Sequence, residues 1–331
     1  MSGRDILRGL GVAVLALLAA GAARAQDPAA SFPNRTVVLV VPFPAGGPPD
    51  VIARILQPKL ESVLGKPVIV ENRAGAAAAM GAAFVARAAP DGHTLLMVDP
   101  AHAVAQNIIE KPGFDPVRDF AYVAPTMRSY MTLVVNPSTP AKNLQEFIAL
   151  ARAKPGDIKY GTSGIGSPPY LGALAFLQAT GVDMTHVPYR GAALAVNDAV
   201  GGHISAVFVS QATAGAQVKG GQLRVLGVYG DQRLRSLPDA PTFKESGVDT
   251  PVANQGTWFG VAAPAGTPPA IVAKLNAAFN ETLRDPATRD LLEKADFVQI
   301  DGGTPEEMKK IVEENVTYWK DLFRKAGVKP E

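Results

Sequence analysis

The sequence predicts an α/β protein of two lobes, each built on a central, mostly parallel sheet and joined by a hinge that the chain crosses twice. Three observations carry this. Strand-like and helix-like patterns alternate over residues 36–98 and alternate again over residues 133–228. A closing run of helices over residues 268–326 then follows a last strand without a sheet of its own. Such alternation implies parallel strands with helices on both faces. A chain of 331 residues is long enough for two such units. The closing helices have to pack back on the first unit, and two crossings make a hinge.

The elements follow in order. Residues 36–42 (TVVLVVP) form an apolar run of strand length. Val51, Ile52, Ile55, Leu56, Leu60, Val63 and Leu64 recur at helical spacing and stop at Gly65, with Pro58 expected to kink that helix or end its first half. Residues 67–71 are a second strand, 80–89 a second helix and 93–98 a third strand. In the second unit, residues 133–135, 158–161, 185–188, 204–209 and 223–228 read as strands; 144–153, 170–180 and 192–200 read as helices. A strand over 258–263 and helices over 268–283, 286–294 and 305–326 close the chain. The expected lobes are residues 34–131 with 257–331, and residues 132–256.

The N-terminus stands apart. Arg4 and Arg8 precede an uncharged, Leu- and Ala-rich run over residues 9–23, and Ala23-Arg24-Ala25 offers small residues where a signal peptidase reads. This is the pattern of a cleavable secretory signal, too short for a lasting membrane span. Cleavage after Ala25 removes Arg4, Arg8, Arg24 and Asp5, taking the formal charge from +2 to 0. With no cysteine, there is no lipid anchor site, no disulfide and no thiolate chemistry. The expected product is a soluble periplasmic protein. Balanced charge and 7% aromatic residues argue against nucleic-acid binding.

Two loops resemble each other: residues 42–50 (PFPAGGPPD) and 161–170 (GTSGIGSPPY). Each follows a strand, is glycine-rich and sets a Pro-Pro pair where a helix begins. Proline suits the first helical turn, because its missing N–H would be unpaired there anyway. Glycine lets the backbone approach a ligand, and a helix N-terminus adds partial positive charge, so each loop makes an anion cradle without a formal charge. In open α/β sheets ligands bind beyond the carboxyl ends of strands, where both loops lie. Neither loop carries the Lys-Ser/Thr of a phosphate loop, and Gly164-Ile165-Gly166 lacks the third glycine of a dinucleotide fingerprint. Small carboxylates are the simplest guests.

Enzymatic readings fail on inventory. His93, His102, His186 and His203 show no metal-ligand spacing, and Ile165 occupies the last place of what would be Gly-x-Ser-x-Gly. Other residues have two readings each. Asp50 either contacts a ligand or caps a helix, and Asn72 orients the first cradle. Arg73 and Arg190 either grip a carboxylate or lie at the surface. Asp99, with His102 after the third strand, selects an ammonium group or caps. Phe43, Tyr189 and Phe208 wall a pocket or fill a core, and Trp258 packs at the crossing strand.

Residues 42–54 (PFPAGGPPDVIAR), 64–75 (LGKPVIVENRAG), 90–96 (PDGHTLL), 160–168 (YGTSGIGSP), 186–191 (HVPYRG), 237–247 (LPDAPTFKESG) and 263–268 (APAGTP) together resemble the Bug/TctC family, the extracytoplasmic solute receptors of tripartite tricarboxylate transporters. The resemblance spans essentially the whole chain after the signal segment. It implies a type II periplasmic-binding-protein fold that closes on a carboxylated solute, with no cofactor and no metal. It also implies a monomer that delivers its solute to a large and a small integral membrane subunit; sensing for a two-component system is the alternative. Carried over, the guest is held by the amides of Ala45, Gly46 and Gly47 and by Thr162, Ser163, Gly164 and Ser167. Two departures from the family pattern flank the cleft: Pro49 replaces a hydroxyl residue, and Tyr170 stands where histidine is common.

Overall fold

The computed structural model of the chain describes residues 29–250, 256–300 and 302–326, so the expected signal segment lies outside it. β1 (Val37–Val41), β2 (Val68–Asn72) and β3 (Thr94–Val98) pair in parallel around β1. The intervening helices are α1 (Pro48–Leu64) and α2 (Ala79–Ala86). Strand β1 is buried on both faces, and its alternation divides the first core. Val37, Leu39 and Val41 face Ile52, Leu56 and Phe279 on one side; Val40 faces Ala82, Met308 and Val312 on the other.

Three further strands complete the sheet from distant sequence. β4 (Phe120–Ser129) and β10 (Thr257–Pro264) are antiparallel neighbours, β10 also pairs with β3, and β11 (Phe297–Gln299) closes the far edge. The second sheet has the order β7-β6-β8-β5-β9. Its strands are β5 (Met131–Val135), β6 (Lys159–Thr162), β7 (Thr185–Pro188), β8 (Ala206–Ser210) and β9 (Arg224–Tyr229). Its helices are α4 (Leu144–Ala153), α5 (Pro168–Thr180), α6 (Ala192–Val200) and α7 (Gln211–Lys219). Parallel pairing holds for β1 with β2 and β3 and for β6 with β7 and β8; the strands next to the crossings run antiparallel, so each sheet is mixed.

Only Tyr130 separates β4 from β5, and Ser129 pairs with Thr257 at the start of β10. The outgoing and returning crossings therefore lie side by side. Tyr130 is buried, its hydroxyl donates to Asp231, and a Cβ on either Gly230 or Gly256 would strike its ring. The closing helices are α8 (Pro269–Arg284), α9 (Pro286–Lys294) and α10 (Pro305–Ala326). Helix α8 packs on the first lobe as expected. Helix α10 does more: Trp319, Leu322 and Phe323 join Val104 and Ile108 of α3 (Pro100–Ile108) to Leu171 and Ala175 of α5, across the two lobes.

Several elements differ from the sequence reading. Helix α1 runs unbroken through Pro58, which sits on its exposed side, where the carbonyl left without a partner meets water. Strand β4 was not expected, because Pro125 interrupts its apolar run; the ladder with β10 shifts register between Phe259 and Gly260, a bulge that tolerates a residue without an N–H. The short elements α3, α7 and β11 were not expected either.

Candidate functional site

The first turn leaves β1 at Pro42 and enters α1 with Gly47 as N-cap and prolines at the first helical positions. Asp50 organises it from beneath. The residue is 3% exposed, and its carboxylate accepts from the Gly46 N–H (2.9 Å), Asn72 Nδ2 (2.8 Å) and Arg54 Nε (3.0 Å). Asn72 Nδ2 also donates to the Phe43 carbonyl (3.1 Å), and Arg54 Nη2 donates to Asn72 Oδ1 (3.0 Å). Burial alone would raise the Asp50 pKa, but the hydrogen bonds from Arg54, Gly46 and Asn72 outweigh it and hold the carboxyl below its ordinary value. The Gly46 N–H is thus turned inward, at a φ of +86° that favours glycine. The N–H groups of Ala45 and Gly47 have no acceptor among the described residues. Phe43 packs against the first-lobe core.

Beside this turn runs the segment 73–81. A Cβ on Gly81 would come within 2.9 Å of both the Arg73 carbonyl and Pro42 Cβ, so glycine permits the contact between α2 and the first turn. Ala76, Ala77 and Ala78 all have left-handed φ, at 45°, 46° and 75°. Non-glycine residues held there cost on the order of 1–3 kcal/mol each and cluster at functional sites. Arg73 is bound to Glu71 (2.7 Å) and lies 3.6 Å over the Phe84 ring.

The second turn leaves β6 and enters α5. Thr162 is fully buried, and its Oγ1 lies 2.8 Å from His186 Nε2, with donor and acceptor set by the imidazole tautomer. The Gly164 N–H donates to Thr162 Oγ1 (3.3 Å). Ser167 caps α5: its Oγ accepts from the Tyr170 N–H (3.4 Å) and donates to the Gly164 carbonyl (2.6 Å). The N–H groups of Ser163, Ile165 and Gly166 have no acceptor among the described residues. His186 lies between Tyr160 and Tyr170, each ring centroid 5.0 Å away. Burial lowers its pKa to about 4, so it is neutral at pH 7. The Thr162–His186 pair has the spacing of a nucleophile and base, with the Thr162 side chain buried beneath the turn.

The turns meet through the 73–81 segment. A Cβ on Gly166 would strike Ile108 Cδ1 and come within 3.4 Å of Ala77 Cβ, so the second-lobe turn rests on the first lobe. The structure brings Ala45, Gly46, Gly47, Asp50 and Asn72 into one hydrogen-bonded turn, and Thr162, Ser163, Gly164, Ser167 and Tyr170 into the other. Of the remaining candidates, Phe43 lies in the first turn and Tyr189 borders the second, its N–H donating to the Thr162 carbonyl (3.1 Å); the side chains of the rest are engaged elsewhere or exposed. The Tyr189 hydroxyl is committed to Asp198 Oδ2 (2.7 Å), and burial followed by that carboxylate pushes its pKa up to about 12. Arg190 is exposed. Phe208 is 1% exposed, inside the second core against Tyr160 and Phe176. Asp99 is 2% exposed and caps α3 through the Ala101 N–H (2.9 Å), while His102 is buried on Phe114. Burial pushes the Asp99 pKa up to about 7 and the His102 pKa down to about 3. Among the described residues no cluster of three His, Asp or Glu suits a metal ion.

His186 was not singled out from sequence as a site residue. Its signal was present, since it opens the 186–191 motif, but its contact with Thr162 needs β6 and β7 side by side.

The arrangement supplies neutral backbone donors at two strand ends, which suits a small anion. Comparison with known proteins identifies the chain's relatives. The family model described as tripartite tricarboxylate transporter family receptor matches residues 52–328. A Cupriavidus necator protein named for the 5′ region of gbd is 36% identical over 90% of this chain and 90% of its own length. BugT of Bordetella pertussis is 31% identical, over 90% of this chain and 91% of its own. The solved structure of the periplasmic binding protein BugD is similar at TM-score 0.82 and 32% identity, covering 91% of this chain and all (100%) of that one. A Rhodopseudomonas palustris protein with adipate gives the same TM-score, identity and coverage: 0.82, 32%, 91% and 100%. MatC from Rhodopseudomonas palustris with bound malate gives TM-score 0.78 at 32% identity, covering 88% and 100%.

Proposed function

Because the chain belongs to the tripartite tricarboxylate transporter receptor family, we propose that it captures a small dicarboxylate between two lobes in the periplasm and delivers it to a membrane transporter. One observation carries this reading. Two Gly- and Pro-Pro-containing turns, each at the carboxyl end of a parallel strand and each opening a helix, leave backbone N–H groups without an acceptor among the described residues, and the 73–81 segment touches both. The Ala45 and Gly47 amides hold one carboxylate, with Gly46 shaping the turn. The Ser163, Ile165 and Gly166 amides hold the other end, with Gly164 and Ser167 shaping that turn and Tyr170 and neutral His186 beside it.

The adipate and malate in two relatives support a dicarboxylate guest. The lobes are residues 34–131 with 257–331 and residues 132–256, and they close about the Tyr130 crossing. Closure drives delivery only because the closed form binds the solute better than the open one. The protein acts as a monomeric carrier, not as an enzyme, after its signal segment is removed. Its partners are the large and small integral subunits of the transporter.

The test is isothermal titration of the mature protein with malate, succinate, adipate and citrate, beside native mass spectrometry of the protein as purified. Saturable binding of a dicarboxylate is expected. Absence of any carboxylate by both methods would overturn the reading. Loss of solute uptake on deletion of the gene tests the transporter half.

A further inference from the structure

Helix α2 (AMGAAFVA) is apolar on every side, yet only part of it is covered. Met80 is 61% exposed and Phe84 40% exposed. Together with Ala83 and Ile109 they line an open groove of about 630 Å³ between α2 and the 109–113 stretch. Its lining includes two cations, Arg87 and Lys111, and no carboxylate, with the exposed Glu110 next in the chain to Lys111. Lys111 is exposed and makes no hydrogen bond or ion pair among the described residues; Arg87 Nη2 donates to the Gly113 carbonyl (3.4 Å), and the Arg73 guanidinium over Phe84 is paired with Glu71. An apolar floor with a cationic rim fits an apolar segment that carries a carboxylate. It repels a second copy of this chain, since two-fold pairing would set Arg87 and Lys111 against themselves. The arginine-bearing N-terminal segment has the wrong charge as well.

The groove is also tied to the lobe contact. Ala76 and Ile109 line it, while their chain neighbours Ala77 and Ile108 take the contact with Gly166 of the second lobe. The lobe contact therefore adjoins one end of the groove, and the left-handed run Ala76–Ala78 lies at that end.

We propose that this groove docks an apolar, carboxylate-bearing periplasmic segment of the integral membrane partner, and that it is complete only when the lobes are closed. This rests on the receptor reading above. The test uses the full chain expressed with its transporter subunits. Two variants, Phe84→Ser and Lys111→Glu, are compared with wild type for dicarboxylate affinity by titration and for uptake of the same labelled dicarboxylate. Both are surface changes, so affinity is expected within about twofold of wild type, while uptake falls about tenfold or more, as for loss of an interface anchor. A photo-cross-linker, p-benzoylphenylalanine, at position 84 is expected to label an Asp- or Glu-bearing peptide of an integral subunit, and to do so more strongly with solute present. Unchanged uptake in both variants would overturn the proposal, as would cross-linking only to a second copy of this chain. Failure of wild type to bind any dicarboxylate is a distinct result that overturns the receptor reading and this one with it.

Discussion

Asp50→Asn tests the physical logic of the first turn. The substitution keeps the side-chain shape but replaces one carboxylate oxygen with an NH2. Oδ2 accepts from the Gly46 N–H and from Arg54, and Oδ1 from Asn72. Whichever way the amide sits, a donor faces a donor. Losing one hydrogen bond to a charged, buried acceptor costs about 1.5–3 kcal/mol. The share from Arg54, whose side chain is 50% exposed, adds ~0–1 kcal/mol after screening. A total of about 2–3 kcal/mol lowers the Tm of a chain this long by roughly 5 °C. The pH dependence has a definite sign. The folded-state pKa of Asp50 lies below 3.8, so its contribution is present above that pH and is lost as pH falls through the folded value. Calorimetry at pH 7 should show the deficit, and the gap between wild type and variant should narrow below pH 3.8. Titration with the bound dicarboxylate should show weakening of about tenfold, equivalent to ~1.4 kcal/mol, because the turn that presents Ala45 and Gly47 is no longer held. An unaltered Tm at pH 7, or a deficit that persists unchanged in acid, would refute the reasoning.

Other outcomes are expected elsewhere. Gly166→Ala sets a methyl against Ile108 at a φ of +76°, so solute affinity should drop roughly tenfold while circular dichroism stays native; wild-type affinity would mean that the lobes need not approach at this point. Trp319→Ala empties a site 1% exposed between α3, α5 and α10, and should cost about 3–5 kcal/mol in urea unfolding; a loss within error would show that α10 adds little to either lobe. His186 has its pKa lowered to about 4 from 6.5, so the unfolded chain takes up its proton first and stability declines as pH drops from 6.5 toward 4. His186→Gln should flatten that part of the stability profile, and identical slopes in the two proteins would assign the decline to other groups.

Much of the architecture was legible because it is locally encoded. Helix α4, helix α6 and strand β7 match their expected bounds, since apolar spacing and flanking Gly or Asn are signals read within a few residues. The two turns were legible for the same reason, as Gly and Pro-Pro act on their own backbone. Strand β4 was not: with Pro125 inside it, it is a strand by virtue of β10, which arrives from the far end of the chain and accepts a bulge. Phe208 illustrates a further limit. Alternation in a strand says that a side chain points to one face, but only the assembled sheet says whether that face is a core or a cleft.

The sequence by itself determined two lobes' worth of α/β elements, a secretory leader pattern, the family resemblance and two anion-cradle turns, all carried by periodicity and by Gly and Pro geometry. Tertiary structure alone decided that the Asp50 carboxylate ties the first turn from beneath, that His186 holds Thr162, that α10 joins both lobes, and that α2 leaves an apolar face open. Each of these depends on groups distant in the chain meeting at hydrogen-bond or van der Waals range, and such meetings are set by packing, to which local pattern is blind.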